Sequence, residues 1–307
     1  MNALTNLLSN ARWLAVLYAL LIFTPATLLA GEVTLEDNSL FVAFDSQSGA
    51  LVRLEDKTTH WVMERRPDLG VSFRLFAPLP HRRYNPVFGG KQHAVEVRKK
   101  SANEIHFQWN HLVSENGGIL PMTLSADVTL TNGILTFKAT LENDSMLTVE
   151  TLDYPYLGDF NAPTRETSLA AGVMTNNLPG QLKIDQIYPH FGNEKGYWGV
   201  NYPTKTREGQ VSPFCLICAP DEGLYTALAI SPVPYRIQWT FEQHPGVISS
   251  ATGLVPPTDE ISGIQVHLEF RVCHFIFAAP HSTTALAPVV MRIYQGGWQA
   301  GATIYKQ

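Results

Sequence analysis

The 307-residue chain reads as all-β: a large antiparallel β-sandwich of two packed sheets, followed by one short C-terminal helix. Three observations predict this. Apolar residues recur with a period of two in segment after segment, and nothing between residues 31 and 290 keeps a helical period. Glycine (22) and proline (20) punctuate the whole chain, which suits many short strands joined by turns. The segment 123–143, TLSADVTLTNGILTFKATLEN, is a hairpin whose register can be written down from the residues alone.

The hairpin is the strongest local signal. Asn132-Gly133 is the preferred pair for a two-residue type I′ turn. With that turn, Leu130 meets Leu135, Val128 meets Phe137, Ala126 meets Ala139 and Leu124 meets Leu141. The apolar set falls on one face and Thr, Asp, Ser and Lys on the other, so a slip by one residue would expose the whole set. An earlier hairpin is expected within residues 32–62, with Leu40, Val42 and Phe44 alternating, a turn at Asp45–Gly49 and a return from Ala50 to Leu54. Further strands are expected over 71–76, 94–98, 104–112, 214–219, 224–231, 235–241, 264–272 and 288–294. So many antiparallel strands in one chain imply two large packed sheets rather than a small barrel. Asn143-Asp-Ser145 is a glycosylation sequon, but its place at a strand end reads as a turn.

Composition narrows the function classes. Charged residues make up only 16% of the chain, against about 25% in typical domains. The net charge of −5 gives no basic excess, so nucleic acid is not an expected partner. Cys215, Cys218 and Cys273 are an odd set. The context PFCLICAP reads as a buried strand, in which Cys215 and Cys218 lie roughly 10 Å apart on opposite faces. No second CxxC or HxxxH completes a metal site, and no cofactor is expected. Core cysteines are the favoured reading, with a bridge from Cys215 or Cys218 to Cys273 left open.

The N-terminus reads as a targeting segment. Arg12 is the only charged side chain before Glu32, and residues 13–30, WLAVLYALLIFTPATLLA, are almost wholly apolar. Pro25, Thr24 and Thr27 weaken a spanning helix, so a signal peptide cut after Ala30 is preferred over an uncleaved membrane anchor. The expected organisation is a signal peptide over 1–30, a β-sandwich over 31–295 and the start of a linker helix over 296–307, in a secreted or periplasmic protein. In that last segment Gly296-Gly297 break the final strand, and Trp298, Gly301, Ala302 and Tyr305 form a helical stripe. So short a helix is marginal alone, so it either packs back on the sheet or leads into further chain.

Three passages carry a resemblance. FDSQSGALVRLEDK, after an opening strand, resembles the start of galactose-mutarotase-like β-supersandwich domains in bacterial glycoside-hydrolase-like proteins. NYPTKTREGQVSPFCLICAPDEGLYTALA is similar to the passage there in which a YP loop leads into a strand and a GLY turn. PVVMRIYQGGWQAGATIYKQ resembles the linker that joins that sandwich to a (β/α)8 catalytic barrel. The resemblance implies a supersandwich fold, a carbohydrate partner and a barrel docking at Trp298 and Tyr305. The barrel itself is absent from this sequence, so no catalytic carboxylate carries over, and activity by this chain alone is not expected.

The residues themselves point to sugar contact rather than chemistry. Tyr188, His190, Tyr197, Trp198 and Tyr202 lie close to Asp185, and flat rings beside amides and acids suit pyranose faces and hydroxyls. Those six are the candidate carbohydrate-binding residues; Tyr154 and Tyr156 read first as packing. His267 and Glu269 share a strand face by alternation alone. Asp153 and Asp159 flank YPYLG, a loop over a groove on this reading, and Asp221-Glu222 reads as a turn. The function expected is a non-catalytic, carbohydrate-associated N-terminal module. A structural or protein-interaction sandwich and a stand-alone mutarotase-like isomerase are the alternatives.

Overall fold

The structure, a computed structural model, describes residues 31–164, 170–175, 178–183, 205–209, 214–229, 233–244 and 267–306. Among these, four antiparallel sheets form and no closed barrel does. A four-stranded sheet runs in chain order through β1 (Glu32–Glu36), β2 (Leu40–Asp45), β3 (Leu51–Asp56) and β4 (Val62–Glu64). A six-stranded sheet contains β5 (Arg74–Phe76), β6 (Pro86–Phe88), β13 (Thr151–Leu157), β16 (Lys205–Gly209), β19 (Arg236–His244) and β20 (His267–Phe275), in the order β16-β19-β20-β13-β5-β6. A two-stranded ribbon pairs β9 (Val113–Ser114) with β10 (Gly118–Ile119).

The ten-stranded sheet holds β7 (Glu96–Ser101), β8 (Glu104–Asn110), β11 (Met122–Thr131), β12 (Ile134–Asn143), β14 (Ala170–Thr175), β15 (Leu178–Lys183), β17 (Phe214–Cys218), β18 (Glu222–Leu228), β21 (Ser282–Ala285) and β22 (Val289–Gln295). Its order is β15-β14-β17-β18-β22-β12-β11-β8-β7, and β21 pairs with the far end of β12. The β11–β12 register matches the sequence reading pair for pair, from Leu130↔Leu135 to Leu124↔Leu141. Asn132 (φ 51°) and Gly133 (φ 73°) take the left-handed conformation a type I′ turn needs. The Gly133 N–H donates to Asp37 Oδ2 at 2.6 Å, which ties this turn to the β1–β2 connection.

The core lies between the ten- and six-stranded sheets. Phe107, Trp109, Leu124, Val128 and Phe137 face Leu75, Leu152, Trp239, Phe270 and Val272 in one continuous apolar cluster. The four-stranded sheet adds Leu40, Val42, Leu54 and Trp61 to it. Each fully buried Leu or Phe contributes about 1.5–3 kcal/mol.

Helix α1 (Trp298–Ile304) packs back on the sheet. Trp298, Ala300, Ala302 and Ile304 cover Phe214, Leu216, Tyr225, Ala227 and Tyr294 on the outer face of β17, β18 and β22. Strand β17 is therefore covered on both sides, with Cys215 and Ile217 in the main core and Phe214 and Leu216 under the helix. That is the physical reason for its unbroken apolar run. Gly301 permits the close approach, since a Cβ there would sit 2.6 Å from the Tyr294 ring. Tyr305 stacks near Phe214, with ring centroids 4.9 Å apart, and stays 53% exposed.

All three cysteines are free. Cys273 lies on the face of β20 that points away from the core, whereas Cys215 points into it, so neither open bridge to Cys273 forms. Asn143 makes the expected turn: its Oδ1 accepts from Ser145 Oγ at 2.7 Å, and its Nδ2 donates to the Leu147 and Ala279 carbonyls. The segment YPYLG differs from the loop expected. Asp153 to Leu157 belong to β13, an interior strand of the six-stranded sheet, and Pro155 falls where the β13–β20 register shifts. A proline lacks the N–H for a regular ladder, and the irregularity accommodates it.

Candidate functional site

Alternation along β20 divides its side chains. Leu268, Phe270 and Val272 enter the core, so Glu269, Arg271 and Cys273 present to the opposite face. The neighbours repeat the pattern: Ile237, Trp239 and Phe241 of β19, Leu152 of β13 and Leu75 of β5 point inward. Thr240 and Glu242, Asp153, Arg74 and Phe76 then share the outer face. Register places Arg74 beside Asp153, Asp153 beside Cys273, Thr240 beside Arg271 and Glu242 beside Glu269. A recess of about 180 Å³ opens on this face, lined by Arg74, Asp153, Thr151 and Arg271 together with the rings of Phe76 and Phe275.

The charges compensate one another. Asp153 Oδ2 accepts from Arg74 Nε at 2.9 Å and lies 2.7 Å from Arg74 Nη2. Arg271 Nε sits 3.0 Å from the same oxygen, off the hydrogen-bond axis. Arg271 Nη1 donates to Glu269 Oε2 at 2.8 Å, and Nη2 donates to Glu242. The Tyr156 hydroxyl donates to Glu269, and both guanidinium groups lie over the Tyr156 ring, at 5.2 Å for Arg271 and 6.0 Å for Arg74. Burial opposes ionisation of Asp153, but Arg74 and Arg271 outweigh it and hold its carboxyl below the usual range. Burial, and then the Asp153 carboxylate, push the Cys273 thiol up, so it stays protonated. The Oδ1 atom of Asp153 is buried and meets no N–H or O–H donor among the described residues.

Three other polar groups are accounted for structurally. Asp159 is paired with Arg66, whose Nε donates to Oδ2 at 2.9 Å. Glu64 is fully buried and accepts the Asp159 N–H with both oxygens; burial first, then the neighbouring acids Asp159 and Glu269, raise its pKa well above normal. His274 faces the sandwich interior between the Tyr154 carbonyl, 2.8 Å from its Nε2, and the Tyr235 hydroxyl. Burial lowers its pKa to about 4, so it is neutral and structural.

The sequence-predicted residues fare unevenly. Asp185, Tyr188, His190, Tyr197, Trp198 and Tyr202 lie outside the described residues. Tyr154 and Tyr156 are both buried, as packing requires, and Tyr154 meets Phe137 edge-on at 5.7 Å. Tyr156 also joins the polar network, which the packing reading missed. Glu269 is engaged by Tyr156 and Arg271. The recess residues Arg74, Phe76, Arg271 and Phe275 carried a signal that went unused: Glu269, Arg271 and Cys273 interrupt an apolar strand at every second position.

No family model matches the chain, and no curated protein does. Solved structures do. A candidate aldose 1-epimerase from Escherichia coli K12 superposes with a TM-score of 0.52 over 86% of this chain and 99% of its own, at 14% identity. The chain has a galactose-mutarotase-like fold. At that identity the likeness speaks for the mutarotase-like sandwich alone. A galactose mutarotase-like protein from Lactobacillus casei ATCC 334 gives a TM-score of 0.48 over 86% of this chain and 100% of its own, at 13% identity. The alpha-galactosidase from Lactobacillus brevis gives 0.47 over 87% of this chain and 40% of its own, at 9% identity.

Proposed function

We propose that this chain is an exported, non-catalytic, carbohydrate-associated module of a glycoside-hydrolase-like protein, and that it holds a pyranose in the recess between Phe76 and Phe275. One observation carries the reading. A buried carboxylate oxygen, Asp153 Oδ1, meets no N–H or O–H donor among the described residues at a recess walled by two aromatic rings, and the Cys273 thiol is the weak donor beside this carboxylate. Buried acceptors demand donors, and a sugar supplies hydroxyls for the carboxylate and C–H faces for the rings. The chemistry of the acids argues for binding rather than turnover. A general acid needs a proton near neutral pH, whereas Asp153 is held ionised by two arginines. Glu269 and Glu242 are both engaged by Arg271.

Calorimetry on the full chain with a panel of neutral monosaccharides tests this. Binding that Phe275→Ala removes supports the recess. Binding removed only by Trp198→Ala would move the site to the aromatic group over 185–202. No binding at all returns the chain to a structural or interaction role. A stand-alone isomerase is the second reading, favoured by the overlap with nearly the full length of the Escherichia coli protein. Anomer exchange followed by NMR on freshly dissolved α-galactose separates the two, because acceleration would contradict a non-catalytic module. Export rests on residues 13–30, and the N-terminal sequence of the exported product is expected to begin near Gly31.

A further inference from the structure

The recess is one end of a row. Across the strands, Arg236 faces Phe275, and Thr151 is the next position on β13, because Leu152 pairs with His274. Thr151 faces Phe76, and Phe76 faces Pro86 on β6, the edge strand of this sheet. The Phe76 ring then meets Tyr84 edge-on at 5.8 Å, and Tyr84 is 60% exposed. Its backbone is fixed by Asn116 Nδ2, which donates to the Tyr84 carbonyl at 3.0 Å. Phe275 and Phe76 lie on strands two steps apart, roughly 10 Å at the usual strand spacing, and Tyr84 lies beyond them. A single pyranose cannot touch all three rings, whereas a linear chain running perpendicular to the strands can.

A second exposed ring flanks the same rim. Phe277 is 60% exposed with φ 44°, a left-handed conformation that a bulky side chain seldom adopts. Its N–H reaches the carbonyl of Glu150, which also lines the recess. Strain of this kind persists where the surroundings over-determine it, often beside a ligand. Charge decides the ligand class. Counted together, Arg74, Arg83, Arg236 and Arg271 meet Asp153, Glu150, Glu242 and Glu269, so the surface carries no net charge and offers an acidic sugar no excess of cations.

Resting on the recess as a sugar site, we infer that the Phe275–Phe76–Tyr84 row is a platform for a linear neutral oligosaccharide of at least three units. The test is an array of linear glycans, neutral and uronate-containing, from monosaccharide to hexasaccharide, probed with the full chain and with Tyr84→Ala. Tyr84 is exposed, so its removal leaves the fold intact. The expected result is that neutral trisaccharides and longer chains bind about tenfold more tightly than monosaccharides, and that Tyr84→Ala erases the gain while monosaccharide binding stays within about twofold. Monosaccharide binding with no gain in length, or a preference for uronates, overturns the platform and leaves the recess standing. Binding to no glycan overturns the recess reading and the platform with it.

Discussion

Arg271 is fully buried yet faces three carboxylates, Asp153, Glu242 and Glu269. Replacing a partner of a buried ion network leaves uncompensated charge, which costs more than the network itself stabilises. Arg271→Met is therefore expected to destabilise the fold by about 3–5 kcal/mol, read as a lowered urea midpoint. His274 predicts a pH dependence. Its folded pKa of about 4 lies below the ordinary histidine value of 6.5, so the unfolded chain binds a proton between those values and the folded chain does not. Stability from the neutral buried ring is whole above pH 6.5 and is lost as pH falls towards 4, by a few kcal/mol. Glu64, with a raised pKa, works in the opposite sense, so the contribution is isolated by comparing wild type with His274→Asn. The variant is expected to show the shallower loss between those pH values. A fall of equal slope in both proteins would assign the effect elsewhere.

At the scale of elements, the sequence was most informative where one face of a strand is wet. The β11–β12 register follows from alternation and an Asn-Gly turn, both local. Strand β13 was hidden because Pro155 mimics a loop signal and because TLDYPYL is buried on both faces, which removes alternation. The site was only partly legible for a related reason. Asp153 stood out as an acid, but the arginines that neutralise it are 79 residues upstream and on β20, and only sheet pairing brings them together. Helix α1 was legible as a stripe, while its partner face was not, since that face is assembled from β17, β18 and β22. Gly301 makes that packing specific. A Cβ there would lie 2.6 Å from the Tyr294 ring and 2.9 Å from Leu216. Gly301→Val is expected to lower stability by about 1–3 kcal/mol and to raise the protease sensitivity of the last residues. An unchanged cleavage pattern would mean the helix is not held there.

For the whole molecule, the two large sheets divide the labour. The ten-stranded sheet is apolar on its inner face and, at β17, β18 and β22, sealed by α1 on its outer face. The six-stranded sheet shares the core but exposes to its far side a charge-balanced polar network flanked by aromatic rings. On the proposed reading such a surface would bind by shape and hydroxyl contacts rather than by net charge, in keeping with the low charged fraction of 16%. The most direct test is a crystal structure of the chain soaked with its tightest-binding neutral saccharide. The account predicts a pyranose between Phe76 and Phe275 with one hydroxyl donating to Asp153 Oδ1. A saccharide bound elsewhere, with that recess unchanged, would contradict it.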